Sequence, residues 1–235
     1  MFGGLLAVND VSFSLARGER VAVLGPNGAG KTTLFNLISG TLSVSGGTIR
    51  LFGDDVTRLP PQRRTARGLG RTFQITKLFP TLPVIDNVRL ALMGLRRQKF
   101  TMLRPVDSLA DVTERARMLL DRFDLGRRRA VAVRELSHGE QRLLEVLVAV
   151  ASGPRVLLLD EPTSGVAAGE IEPIVQMVGE LDPAMSVLII EHDMDVAFKL
   201  AERILVLHYG KLLRVGTPDQ IKVDPLVAEI YFGAV

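Results

Sequence analysis

The chain has 235 residues, 47% hydrophobic and 23% charged, with no cysteine and a net charge of +3 from 29 Lys and Arg against 26 Asp and Glu. A chain of this length and balance can bury a core without staples, which excludes wholesale disorder, collagen-like repeats and coiled coil. Without cysteine it forms no disulfide, iron–sulfur cluster or Cys-ligated zinc site, and so small a positive excess says little about nucleic acid and makes no basic stripe obvious. No apolar run reaches the roughly 20 residues of a membrane span. The N-terminus lacks a basic start followed by a long apolar stretch. A cytosolic chain is therefore expected, with any membrane association made through a partner.

Along the chain, residues 11–15 and 48–52 read as strands with one polar face, candidates for an antiparallel flank. Residues 21–24, 156–159, 187–190 and 204–207 are continuous apolar runs, as parallel strands covered on both faces require. Helical patterns follow several of them, over 30–39, 168–180 and 193–201. The alternation predicts an α/β domain with a mostly parallel sheet. Between about 75 and 149 no buried strand is evident, and helical patterns cover 84–93, 109–123 and 139–151. This predicts a helical subdomain, 76–149, inserted in a discontinuous core of 1–75 and 150–235. Two short basic clusters, Arg96, Arg97 and Lys99, then Arg127, Arg128 and Arg129, read as solvated helix ends.

Three local patterns carry chemistry. Gly25, Pro26, Asn27, Gly28, Ala29, Gly30, Lys31 and Thr32, with Thr33 next, follow a strand and open a helix in the spacing of a phosphate-binding loop. Backbone N–H groups and the helix dipole would cradle phosphate oxygens there. Lys31 would reach the outer phosphates, and the Thr32 hydroxyl would ligate Mg²⁺. The apolar run at 156–159 ends in Asp160 and Glu161, beyond a strand's carboxyl end, where ligands of open α/β sheets bind. Asp160 suits the metal and Glu161 a water in line with the terminal phosphate, as general base. Ser137, with Glu140 three residues on, forms a capping box. Ser137, the Gly139 N–H and the helix dipole make a second anion-binding helix end.

The order of these motifs resembles an ABC-type ATPase subunit: the P-loop, then Leu136-Ser137-His138-Gly139-Glu140-Gln141, then Leu157-Leu158-Leu159-Asp160-Glu161-Pro162-Thr163-Ser164-Gly165, then His192. The segments Gly70-Arg71-Thr72-Phe73-Gln74 and 78–88, and the tail from Gly216 to Gly233, are similar to the ATPases of branched-chain amino-acid importers. The resemblance implies a P-loop NTPase core with an antiparallel flank and a helical insert, binding ATP and Mg²⁺. It implies roles for Gln74 at the metal and the attacking water, for His192 at the γ-phosphate, and for Phe2 stacked on adenine. It also implies a second ATPase subunit, identical or paralogous, whose Ser137 end completes the site. Transmembrane permease subunits would dock on the region from Gln74 to Val88, placing the chain peripherally on the inner face of the cell membrane, with no nucleic-acid partner.

This sequence departs from the family pattern in two places. Ala167 stands where the family often has an Asp in the loop after the catalytic Glu, and most relatives have a further strand before the adenine-stacking residue, whereas this sequence starts almost at Phe2. An ABC ATPase acting on nucleic acid or the ribosome is the alternative, although neither long coiled-coil insertions nor a second ATPase unit is present. A P-loop kinase or GTPase would leave the Ser137 motif unexplained, and a low-turnover assembly protein would leave Glu161 unexplained.

Overall fold

The structure is a computed structural model and describes residues 7–72, 78–94 and 109–232. Phe2, Gln74, the basic cluster at 96–99 and residues 74–77 of the expected docking segment lie outside the described residues. The chain runs β1 (Arg20–Leu24), α1 (Lys31–Ser39), β2 (Arg50–Leu51), β3 (Asp54–Asp55), α2 (Pro61–Thr65), β4 (Leu69–Arg71), α3 (Val84–Met93) and α4 (Ala110–Arg122). It continues with α5 (His138–Ala151), β5 (Val156–Asp160), α6 (Ala168–Gly179), β6 (Ser186–Ile190), α7 (Met194–Leu200), β7 (Arg203–His208), β8 (Lys211–Gly216), α8 (Pro218–Lys222) and α9 (Pro225–Phe232).

The main sheet has the order β4-β5-β6-β1-β7-β8, parallel except for β8, which pairs antiparallel with β7. The continuous apolar runs are its centre: every residue of β6 is buried, as are Val21, Ala22, Val23 and Leu24 of β1. At about 1.5–3 kcal/mol for each large aliphatic side chain taken from water, these strands anchor the fold. Register then sets the site, because Asp160 pairs with Ile190 and Val23 pairs with Ile190. The carboxyl ends of β5, β6 and β1 therefore emerge side by side.

The antiparallel flank is not where the sequence placed it. Residues 11–15 form no strand, and 48–52 contribute only β2, paired with β3 in a separate two-stranded unit. The alternation at 11–15 survives as facing: Val11, Phe13 and Leu15 are half-buried against the core while Ser12 and Ser14 are exposed. A groove of about 1500 Å³ runs between this segment, residues 42–53 and the β5–β6 side of the sheet, and no strand pairs with 11–15 across it. Facing follows from the side chains; a ladder needs a partner backbone. The antiparallel strand of the main sheet is β8, whose residues do not alternate in burial.

The helices of the middle region share one buried cluster with the sheet, in which Val84, Val88, Ala116, Leu120, Leu144 and Leu147 join Leu157, Leu159 and Val187. On the opposite face, α1 is anchored by a buried cation. Arg64 is 1% exposed and donates to the carbonyls of Leu37 (2.7 Å), Ile38 (2.6 Å), Leu59 (2.9 Å) and Thr57 (2.9 Å). It meets the last-turn carbonyls of α1, where a helix has neither partners nor positive charge of its own.

Candidate functional site: a phosphate-binding rim on three adjacent strands

Residues 25–30 carry the chain from β1 into α1. Gly30 is the N-cap of α1 at φ 101°, a conformation costly to any residue with a Cβ. A Cβ there would also overlap the Ala7 carbonyl. Lys31 is 5% exposed, and its Nζ donates to the carbonyls of Gly25 (2.5 Å) and Pro26 (3.1 Å). Burial lowers its pKa, against the pull of the Glu161 and Asp160 charges. Lys31 is thus a buried ammonium held by its own loop and facing two acids. Thr32 is exposed on the first turn of α1 and Thr33 is half-buried beside it.

Asp160 ends β5 at 2% exposure. Its Oδ2 accepts from Arg71 Nη2 at 2.9 Å, and its N–H donates to Thr72 Oγ1 at 3.1 Å. Burial raises its pKa; the Arg71 hydrogen bond and charge oppose this. Arg71 Nη1 also donates to Asn36 Oδ1 and Ser39 Oγ, both at 2.8 Å, tying β5 to α1. Asp160 Oδ1, by contrast, is buried without a hydrogen-bond partner. An orphaned carboxylate oxygen at this depth calls for a cation. Asp160 Oδ1 and the exposed Thr32 hydroxyl are hard oxygen donors of the kind Mg²⁺ takes together with substrate phosphates, so the residues present fit that ion.

Glu161, 6% exposed, follows at φ 51°, which costs a non-glycine residue about 1–3 kcal/mol unless its surroundings enforce it. The Glu161 N–H donates to the Ile190 carbonyl at 3.0 Å, and the Ser164 N–H donates to the Glu161 carbonyl at 3.1 Å. Its Oε1 lies 2.5 Å from His192 Nε2. His192, just past β6, is 45% exposed at its side chain. One face of the ring therefore reaches solvent while Nε2 meets the buried acid. Lys31, Asp160, Glu161 and His192 stand together on one rim, and none of them lines the 1500 Å³ groove.

Ser137 and Gly139 belong elsewhere. Ser137 caps α5 as expected: its Oγ accepts from the Glu140 N–H (3.1 Å), and Glu140 Oε2 accepts from the Ser137 N–H (2.9 Å). Among the described residues, no hydrogen bond joins this end to residues 25–33. Its contact with the catalytic side is indirect. A Cβ at Gly165 would lie 3.1 Å from His138 Nε2, so the turn after Glu161 abuts the head of α5. A Cβ at Gly139 would lie 2.7 Å from that of Glu170, so α6 passes too close for a larger residue. Ala167 is the N-cap of α6, with no side-chain hydrogen bond.

Two residues of this rim carry no role in the sequence reading. Arg71 sits within a quoted motif, but its bond to Asp160 spans 89 residues and nothing local marks it. Glu191 does carry a signal: like Asp160 and Glu161, it is an acid at the end of an apolar run.

The ABC transporter family model matches residues 8–164. The branched-chain amino acid transport ATP-binding protein LivG of Escherichia coli K12 is 37% identical over 239 residues, covering 99% of this chain and 94% of LivG. Among solved structures, the MJ1267 ATP-binding cassette in its ADP conformation aligns with a TM-score of 0.85 at 30% identity, over 99% of this chain and 95% of that one. The dimeric post-hydrolysis cassette MJ0796, bound to ADP and Pi, aligns with a TM-score of 0.78 at 26% identity, over 91% of both chains.

Proposed function

This chain belongs to the ABC transporter family, and on that premise we propose that it is the ATP-hydrolysing subunit of a membrane importer, in which two subunits close on two ATP molecules. One observation carries this reading: Lys31, Asp160, Glu161 and His192 meet on the rim of three neighbouring strands, while the Ser137 helix end stands apart. The first group supplies phosphate binding and a base. The second supplies an anion-binding end that a partner's nucleotide can use.

In this reading, Gly25, Pro26, Asn27, Gly28, Ala29, Gly30, Lys31, Thr32 and Thr33 wrap the phosphates. Lys31 leaves the Gly25 and Pro26 carbonyls for the β- and γ-phosphate oxygens, a better match for a desolvated ammonium. Mg²⁺, held by Thr32, Asp160 and Gln74, would neutralise charge growing on the phosphate oxygens. Glu161 orients the attacking water and takes its proton. His192 exchanges Glu161 for the γ-phosphate, which frees the carboxylate to act as base. Ser137 Oγ accepts from the Glu140 N–H but keeps its own proton to donate. With the Gly139 N–H it would grip the γ-phosphate on the partner copy. Hydrolysis then removes the bridge between the copies. Phe2 is assigned to the adenine face.

Among the described residues, no helix is long and apolar enough to cross a membrane. In the proposed reading, work on a solute passes to permease subunits, with the chain peripheral on the inner face of the membrane. The docking segment is assigned to Gln74–Val88, where Phe79 is 54% exposed, an apolar surface that a partner would cover. The branched-chain amino-acid cargo is taken from LivG. The relatives and neighbours named above are transport cassettes, which offers no support to the nucleic-acid or ribosome alternative.

The test is Glu161→Gln, read as phosphate release together with ATP titration. Turnover should fall at least about 100-fold with ATP affinity retained. Turnover near wild type would overturn Glu161 as the base.

A further inference from the structure

Glu191, the buried acid at the end of β6, has no part in the mechanism above. It is 2% exposed. Its Oε1 accepts from the Thr163 N–H at 3.2 Å and from Thr163 Oγ1 at 2.9 Å. Its Oε2 accepts from the His192 N–H at 3.2 Å. A single carboxylate therefore ties the turn that follows Glu161 to the backbone of His192.

These two loops come from different strands, and the reacting pair they carry sits at their tips. Glu161 holds a left-handed backbone conformation that persists only where neighbours enforce it. The bonds from Glu161 to Ile190 and from Ser164 to Glu161 fix the base of the turn. Thr163 fixes its far side, and Glu191 is what Thr163 binds. We propose that Glu191 is a positioning residue for ATP hydrolysis: bonded at both oxygens, it sets the approach of Glu161 to His192. The inference rests on the ATPase reading above.

A carboxylate here comes at a cost to stability. Burial pushes its pKa up to about 7, against the Thr163 and His192 hydrogen bonds that hold it down, and the neighbouring Glu161 charge adds to the push. A packing role would be served better by an uncharged residue. Gln at 191 can still accept from Thr163 through its carbonyl. Its amide would then present N–H to the His192 N–H, two donors face to face, and the tie to His192 is lost.

The experiment measures phosphate release, ATP titration and melting temperature on the purified full chain, for Glu191→Gln, Thr163→Val and Thr163→Ser. Misplacement of reacting groups by fractions of an ångström costs rate before it costs binding. Glu191→Gln and Thr163→Val should each lower kcat at least about tenfold, with ATP affinity within about twofold and a melting temperature no lower than wild type for Glu191→Gln. Thr163→Ser, which restores the hydroxyl, should recover most of the rate. The proposal is overturned if kcat stays within about twofold of wild type in both variants, or if kcat, affinity and melting temperature fall together. Wild-type turnover is the control: its absence would overturn the ATPase reading itself, whereas normal turnover with unaffected variants removes only the role of Glu191.

Discussion

At the rim of the sheet, Lys31, Asp160 and Glu161 are 5%, 2% and 6% exposed; Lys31 is held by the carbonyls of its own loop, and Asp160 and Glu161 by Arg71 and His192 from distant parts of the chain. At the head of α5, Ser137 and His138 are exposed, and Ser137 makes its own capping box and the first backbone bond of the helix, from the Gln141 N–H. In the proposed mechanism both ends receive an anion, and the rim adds the acids and the base that chemistry needs. In that mechanism the head of α5 offers the proton of the Ser137 hydroxyl and the Gly139 N–H. In the proposed mechanism one end is the reaction centre and the other the grip. Among the described residues, no hydrogen bond joins the two ends within a single copy.

The comparison can be sharpened by weakening each side. The largest effect on the rim's scaffold should come from Arg64→Met. It removes the guanidinium donor from the carbonyls of Leu37, Ile38, Leu59 and Thr57, of which Leu37 keeps the Gly40 N–H, and a loss of about 3 kcal/mol is expected from denaturant unfolding. A loss below about 1 kcal/mol would mean that α1 does not depend on that cage.

Next comes the acid behind the rim. Glu191 is raised from 4.5 to about 7. Between those values the folded chain holds a proton that the unfolded chain has released, so stability falls as pH rises through that window. Relative to Glu191→Gln, wild type should lose up to about 3 kcal/mol from pH 4.5 to 7. Glu161 and His192 face the same group in both proteins, so the difference between them isolates Glu191. A pH-independent difference in unfolding free energy would show that folding leaves the Glu191 pKa unshifted.

The smallest effect lies on the link between the two regions, where α6 begins without a side-chain cap at Ala167. Ala167→Asp should stabilise the chain by about 1 kcal/mol, seen as a raised melting temperature. No change would indicate that the loop already satisfies the first-turn N–H groups another way.

What was legible in the sequence was what is local. The four apolar runs became β1, β5, β6 and β7 because full burial leaves its mark in consecutive residues. The P-loop, the Asp160–Glu161 pair and the Ser137 capping box are each written within a few positions. Residues 11–15 show the limit: their alternation gave the correct facing but could not supply the backbone they would pair with. β4, β8 and the short helices α2 and α8 carry too little periodicity to be read. Arg64 sits among Arg63 and Arg67 and reads as one more surface cation, although its guanidinium caps a helix 26 residues upstream. Arg71 escaped for the same reason, since Asp160 lies 89 residues away in sequence; Glu191 ends an apolar run as Asp160 does, but its tie to Thr163, 28 residues away, is not local.

The most direct test mixes two disabled chains, Lys31→Ala, which lacks the phosphate-binding amine, and Ser137→Arg, which blocks the grip. Each alone should release no phosphate above background. An equal mixture should regain turnover, because a mixed pair keeps one site with an intact loop from one copy and an intact serine from the other. A mixture that stays silent while both chains fold, or full turnover by Ser137→Arg alone, would contradict the shared site.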